Sequence, residues 1–268
     1  LKVALIGATG MTGSELLTEL LGRGHEVTAI SRSAQSLQPR TGLTARSADI
    51  MDIGQLQAAV AGHAAIISAY SPGHASDMSE YRGPVEAAWR LKRVVADQPG
   101  TYLIFVGGAS SLYVAPGVQH LEDPRWPKWY FDTASVEHLR YLVSLGLDFL
   151  APVADARESG VAMSPETETT YNNVVQFIAG HPYLLEGCRA AFEIFRNDST
   201  IDWSFVSPPW FYRPGPRTGQ YRIAIDNMPM DNGVPAGVSV SDLAVAIADE
   251  MEARKLVHTH WCPHSAGA

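Results

Sequence analysis

The sequence predicts an α/β protein: a doubly wound, mostly parallel sheet with a small C-terminal substrate lobe and a helical insertion. Three observations predict it. Short β-branched runs alternate with amphipathic stretches through the first half of the chain, the pattern of parallel strands joined by crossover helices. A glycine-rich turn stands between the first such run and the first amphipathic stretch. In the second half that rhythm breaks, and a polar, aromatic region separates the early strands from the late ones.

Taken in order, Lys2–Ile6 reads as a buried first strand. A helix over residues 14–22 then sets Leu16, Leu17, Leu20 and Leu21 on one face, with Gly24 as its stop. Residues 26–30, 43–48 and 64–69 are strands two to four, with a short helix through Leu56 and Val60 before the fourth. A long helix over 77–97 carries Val85, Ala88, Trp89, Val94 and Val95 as its apolar stripe, and 101–106 is the fifth strand. Residues 107–131 read as loop, 133–145 as helix, 155–170 as polar irregular chain, and 171–179 and 184–197 as helices. The sixth strand, 201–206, ends in Ser207-Pro208-Pro209-Trp210. A strand near 221–225, a helix over 241–252 and a strand over 257–262 follow.

Composition narrows the function. The chain has 268 residues, 46% hydrophobic and 18% charged, with 20 Lys and Arg against 28 Asp and Glu and a net charge of −8. The basic residues are scattered, which argues against a nucleic-acid partner. No apolar run approaches the roughly 18 residues of a membrane span, and the early run at Val3–Ile6 enters a glycine-rich turn rather than continuing as a secretory signal. Cys188 and Cys262 give no disulfide framework, as suits a reducing compartment. The expectation is a cytoplasmic globular protein, monomer or homodimer, acting on a small-molecule substrate.

The most informative motif is Gly7-Ala8-Thr9-Gly10-Met11-Thr12-Gly13. It follows a strand and opens a helix within one strand–helix–strand unit, which makes the sheet Rossmann-type. The first glycine permits the turn and the second lets backbone approach a diphosphate at the helix N-terminus. The third lets helix and strand pack closely. The second strand ends in Ser31 and Arg32 rather than an acidic residue, so a 2′-phosphate is welcomed and NADP(H) is preferred over NAD(H). Asp49 and Ile50 after the third strand are placed against adenine. Ser68, Ala69 and Tyr70 are placed against the ribose and diphosphate. Gly107 and Gly108 complete the cofactor-binding set.

These residues resemble the atypical short-chain dehydrogenase/reductase group, in its NmrA-like or NAD(P)H-binding branch, which includes flavin reductase (biliverdin-IXβ reductase) and isoflavone-reductase relatives. The likeness continues in the stretch from Val106 through Ser110, Ser111 and Leu112 to Gly117. It returns in the segment from Ile201 to Pro208, in that from Gly215 to Arg222, and in the helix opening Ser239-Val240-Ser241-Asp242. It implies an NADPH-dependent oxidoreductase. It also divides the chain into an NADP-binding core at 1–130, an inserted cap segment at 131–185, and remaining core strands with a substrate lobe at 186–268, all one compact unit. The insertion is of a kind that secondary-metabolite enzymes carry. One departure stands out: none of the ten tyrosines has a lysine four positions later, so the superfamily's tyrosine–lysine proton donor is missing.

Substrate should meet cofactor beyond the carboxyl ends of the strands. The catalytic candidates there are Ser110 and Ser111, whose hydroxyls suit a carbonyl or simply a turn, with His120, Lys128 and Tyr130 downstream. Lys128 stands among aromatic residues that either lower its pKa or are covered by its stem. Trp129, Trp210, Phe211 and Tyr212 form the candidate substrate pocket, suited to a flat, ring-bearing molecule. His258, His260, Cys262 and His264 alternate like metal ligands, but same-face residues on a strand lie about 7 Å apart, so no metal is expected. The expected activity is reduction of a hydrophobic, aromatic or polyketide-like conjugated molecule. The alternatives are a non-redox isomerase, cyclase or dehydratase, and an NADP-binding regulatory protein.

Overall fold

The computed structural model describes residues 1–73 and 77–265. Eight strands form one sheet: β1 (Lys2–Ile6), β2 (Glu26–Ser31), β3 (Leu43–Ser47), β4 (Ala65–Ser68), β5 (Tyr102–Val106), β6 (Asp202–Val206), β7 (Arg222–Ile225) and β8 (Thr259–His264). Their spatial order is β3-β2-β1-β4-β5-β6-β8-β7, parallel throughout except for the antiparallel β7–β8 pair. The doubly wound α/β expectation is borne out.

Alternation along β1 explains why both faces are covered. Val3 and Leu5 enter one core, beneath α1 (Met11–Gly22) and α9 (Val240–Ala253), with Leu16, Leu20, Leu243 and Ile247. Ala4 and Ile6 enter the other, beneath α2 (Ile53–Val60), α3 (Met78–Ala96) and α8 (Tyr183–Phe195), with Leu56, Leu91, Val94 and Phe195. A strand buried on both sides has no polar face, which is why the early runs are continuously apolar.

Four helices lie between β5 and α8: α4 (Lys128–Thr133), α5 (Val136–Ser144), α6 (Ala151–Ser159) and α7 (Pro165–Gly180). They share a third cluster in which Leu139, Leu150, Val153, Tyr171 and Val175 meet Phe131 and Phe211.

Several local expectations change. Residues 155–170 are helical on both sides of Gly160, which takes a left-handed φ of 72° and ends α6. The Ser164 hydroxyl accepts the Thr167 N–H, Pro165 opens α7, and Glu166 and Glu168 occupy its first turn. These are strong N-terminal signals in a stretch whose polarity reads as loop. The helix expected over 133–145 is α5, which starts at Val136 because Ser135 caps it by accepting the His138 N–H. Residues 128–131, read as loop, lie in α4. Trp89 is 57% exposed and faces away from the core, where Ala87, Ala88 and Leu91 take its place.

Candidate functional site

The strand order reverses between β1 and β4, and a cleft of about 620 Å³ opens there beyond the carboxyl ends of the strands. Backbone contacts, not side chains, build its floor. Gly7 has a φ of 78°, and a Cβ on it would sit 2.5 Å from the Ala69 carbonyl oxygen. A Cβ on Gly13 would sit 2.0 Å from the Gly7 oxygen, so α1 can rest on the turn only with glycine there. Gly10 is the N-cap of α1 and contributes no side-chain cap, and no acidic residue occupies the first turn. The helix therefore turns uncapped N–H groups toward the cleft, an arrangement suited to an anion.

Around this floor the cleft is lined by Thr9, Ser31, Arg32, Asp49, Ile50, Ala69 and Tyr70, all expected cofactor contacts. Arg32 is exposed; its carbonyl accepts from the Ser47 hydroxyl, and its guanidinium has no ion pair or hydrogen bond among the described residues. The Ser31 hydroxyl oxygen is buried without a partner. Asp49 accepts the Met51 N–H at 2.9 Å, which fixes its carboxylate. Burial raises the pKa of the Tyr70 phenol.

The remaining cofactor candidates lie outside this lining. Met11 is exposed and Thr12 partly buried, and both are engaged elsewhere: the Tyr141 hydroxyl donates to Met11 Sδ at 2.8 Å, and the Thr12 and Tyr212 hydroxyls bond each other. Ser68 is fully buried, its oxygen unpartnered. Gly107 lies against Phe205, where a Cβ would come within 2.2 Å of the ring. A Cβ on Gly108 would meet Cys188 Sγ at 3.3 Å.

The family model for NAD(P)H-binding proteins matches residues 7–148, from the first glycine of the turn to the start of the third cluster's helices and beyond, more than half of the chain. This chain belongs to the NAD(P)H-binding family. It is similar to the uncharacterised protein YwnB of Bacillus subtilis (strain 168), with 27% identity over 94% of this chain and 92% of that one. A candidate epimerase from Bacteroides thetaiotaomicron superposes with a TM-score of 0.73 and 25% identity, over 100% of this chain and 98% of that one. A candidate NADH-flavin reductase from Streptococcus pneumoniae TIGR4 shares the fold, with a TM-score of 0.69 and 21% identity over 99% of each chain.

In this NAD(P)H-binding protein the hydroxyls beyond β5 are already engaged. Ser110 donates to the Leu185 carbonyl at 2.6 Å and Ser111 to the Cys188 carbonyl at 3.4 Å; both serines are fully buried beneath α8. Tyr130 is fully buried and donates to Asp123 Oδ2 at 3.0 Å, while Arg125 holds the same carboxylate. Burial pushes the Tyr130 pKa up. Lys128 sits apart on the surface, paired with Asp132 at 2.7 Å, so it and Tyr130 do not share a site. His120 is fully buried among Tyr130, Trp126 and Trp210, with both ring nitrogens unpartnered; burial lowers its pKa to about 3, which keeps the ring neutral.

Of the aromatic candidates, Trp210 packs at the seam between the sheet and the α4–α7 helices. Phe211 meets His138 edge to face, with ring centres 5.1 Å apart. Phe211 and Tyr212 belong to a short strand, Phe211–Arg213, parallel to Gly237–Ser239. Trp129 lies under the Arg125 guanidinium, 4.0 Å from its ring centre.

Two features escaped the sequence reading. The first is the α3 wall of the cleft, with Met78, Arg82, Glu86 and Arg90 at four-residue spacing; that spacing was legible, but its neighbour across the cleft was not. The second is a hydrogen-bonded chain: Ser207 Oγ to His260 Nε2 at 2.9 Å, and His260 Nδ1 to Asp226 Oδ1 at 3.1 Å. It has the connectivity of a nucleophilic triad, yet Ser207 is fully buried. Its N–H donates to Trp261, and the next two residues are prolines with no N–H to stabilise an oxyanion. The chain therefore acts as a buried tie between β6, β8 and the turn at Asp226. Cys188 is partly buried, and desolvation pushes its thiol pKa up to about 12, which makes it a poor nucleophile. Among the described residues no group of three or more His, Cys, Asp or Glu is placed to hold a metal, and no helix is long and apolar enough to cross a membrane.

Proposed function

We propose that this chain is an NADP(H)-dependent reductase of a hydrophobic, conjugated small molecule, aromatic or polyketide-like. One observation carries the cofactor half: a single cleft joins an uncapped helix N-terminus to an exposed, unpartnered Arg32 at the end of β2. The diphosphate suits the helix end and a 2′-phosphate suits the guanidinium. Gly7 and Gly10 let the backbone approach, Asp49 is oriented by the Met51 N–H, and the unpartnered Ser31 hydroxyl lines the wall. When bound, NADPH supplies a hydride.

Trp210, partly exposed and backed by the buried, neutral His120, offers a flat apolar face at the seam with the α4–α7 helices, which we take as a substrate cap. A conjugated acceptor is already electrophilic, so its reduction does not depend on the missing tyrosine–lysine pair. Tyr130, kept protonated by burial, and the serines beyond β5 then position rather than relay.

A non-redox isomerase or dehydratase is the second reading, supported by the full-length likeness to a candidate epimerase. Titration with NADPH and NADP, followed by nicotinamide fluorescence, comes first; the reductase reading requires binding, and none at millimolar concentration ends it. A panel of quinones, enones and aromatic polyketides then divides the rest. Loss of nicotinamide absorbance in step with product supports reduction, while product without cofactor consumption supports the second reading.

A further inference from the structure

We propose that His120, Trp126 and Trp210 form a polar subsite for a neutral carbonyl with a neighbouring hydroxyl, so that the conjugated molecule received at the α4–α7 seam is a hydroxy-ketone rather than a bare ring system. The inference rests on the reading of that seam as the substrate side and gives its ligand a chemistry.

Four buried nitrogens carry it. Nδ1 and Nε2 of His120, Nε1 of Trp126 and Nε1 of Trp210 have no hydrogen-bond partner among the described residues. The three rings lie together, with the His120 centre 4.8 Å from that of Trp210 and 6.3 Å from that of Trp126. His120 is fully buried, but both indoles are partly exposed. Each indole therefore shows apolar surface to solvent and turns its N–H inward, the reverse of the usual arrangement. The neighbouring Asp123 does not answer them, because its carboxylate is held by Arg125 and the Tyr130 hydroxyl. Tyr130 meets His120 edge to face, ring centres 4.3 Å apart, and an N–H against a ring recovers less than one on oxygen.

A buried donor without a partner costs stability that a plain hydrocarbon ring in its place would not. Here the unpaired donors stand where a ligand can satisfy them. His120 and Trp126 follow β5 and Trp210 follows β6, so all three lie beyond the carboxyl ends of adjacent parallel strands. The nitrogens are closed to solvent, and a ligand reaches them as the seam opens beside the partly exposed Trp210. The inventory of hydrogen bonds then names the ligand. An indole only donates, while the neutral His120 has one N–H and one acceptor nitrogen. A carbonyl oxygen offers two lone pairs, and a hydroxyl beside it accepts once more and donates to the remaining nitrogen. A carboxylate brings no proton for that nitrogen, and a hydrocarbon satisfies none of the four.

The test uses the intact chain and three naphthalene probes, titrated calorimetrically: one with an acetyl group beside a hydroxyl, one with an ethyl group, and one with a carboxylate beside a hydroxyl. The wild-type chain should bind the hydroxy-ketone about tenfold more tightly than either of the others. Trp126→Phe and Trp210→Phe should each cut its advantage over the ethyl probe by about fivefold. The ethyl probe reports the change in packing, since it meets the ring but not the N–H. His120→Phe, which exchanges two unpartnered nitrogens for carbon, should remove the preference and leave the urea midpoint at neutral pH unchanged or higher. A purely structural histidine would instead give a lower midpoint with the preference retained. Equal binding of the three probes by the wild type, tighter binding of the carboxylate, or variants that keep the wild-type ratio overturn the proposal and leave the seam as the substrate side. A wild-type chain that binds NADPH but none of the three probes overturns the substrate reading of the seam, and the proposal with it, while the cofactor reading stands.

Discussion

At the scale of single residues, the site depends on where a side chain is impossible and where a charge is left open. Gly13→Ala would drive a methyl group into the Gly7 carbonyl, so we expect loss of cofactor binding together with lower stability, measured by fluorescence titration and urea unfolding. Arg32→Glu should reverse the preference for NADPH over NADH, and an unchanged ratio of dissociation constants would show that Arg32 does not meet the phosphate. His120 gives a pH prediction. Its folded pKa is depressed by burial to about 3, below the ordinary 6.5, so the unfolded chain takes up a proton that the folded chain refuses. Stability is therefore complete above about pH 6.5 and falls below it toward pH 3, with a slope from this group of up to about 1.4 kcal/mol per pH unit. His120→Phe should flatten that slope in urea midpoints measured across the range. These residues were unequally legible. The glycine turn and Arg32 could be read because their chemistry is local in sequence. Ser110 and Ser111 could not, because the carbonyls that engage them, Leu185 and Cys188, stand 75 and 77 residues further along.

Among the elements, period and caps decided what could be foreseen. The strands of the first half are apolar on both faces, and their positions follow from that alone. The missed helix α7 shows the opposite case, a polar stretch whose cap residues outweigh its composition. The loop from 215 to 220 shows how one element holds another. Asp242, 2% exposed in the first turn of α9, accepts the N–H groups of Thr218 and Gly219 and the Thr218 hydroxyl. Asp242→Ala would strip the loop of three bonds to a buried carboxylate and should lower stability by about 3 kcal/mol, whereas Asp52→Ala, which removes the cap of α2, should cost less. Chemical denaturation of the two variants ranks them, and a reversed order would mean that the loop is not tied through Asp242.

Over the whole molecule, two cores share one sheet while the α4–α7 helices have a cluster of their own, joined to the rest through Trp210, Phe211, the Arg213–Glu137 pair and the Tyr141–Met11 contact. That narrower attachment predicts earlier opening. Hydrogen exchange should show α5–α7 losing protection at lower free energy than β1, β4 and β5, and uniform protection would mean that the helices and the sheet unfold as one unit. The assignment of residues 131–185 as a cap stands or falls with that experiment. The seat of these helices on α1 was not legible in the sequence, since the contact joins residues 130 positions apart.

The division of β1 between two cores also governs how the binding site can fail. Val3 and Leu5 face one way, Ala4 and Ile6 the other, and Gly7 follows directly with its α-carbon against Ala69. A slip of one residue would exchange the two sets and at the same time carry the glycine turn about 3.3 Å off its seat. Intermediate placements have no packing to support them. The position of the cofactor turn is thus a discrete quantity, set by strand register rather than by the loop itself. Substitutions along β1 should accordingly either leave the turn where it is or abolish the fold that carries it, with no graded misplacement between.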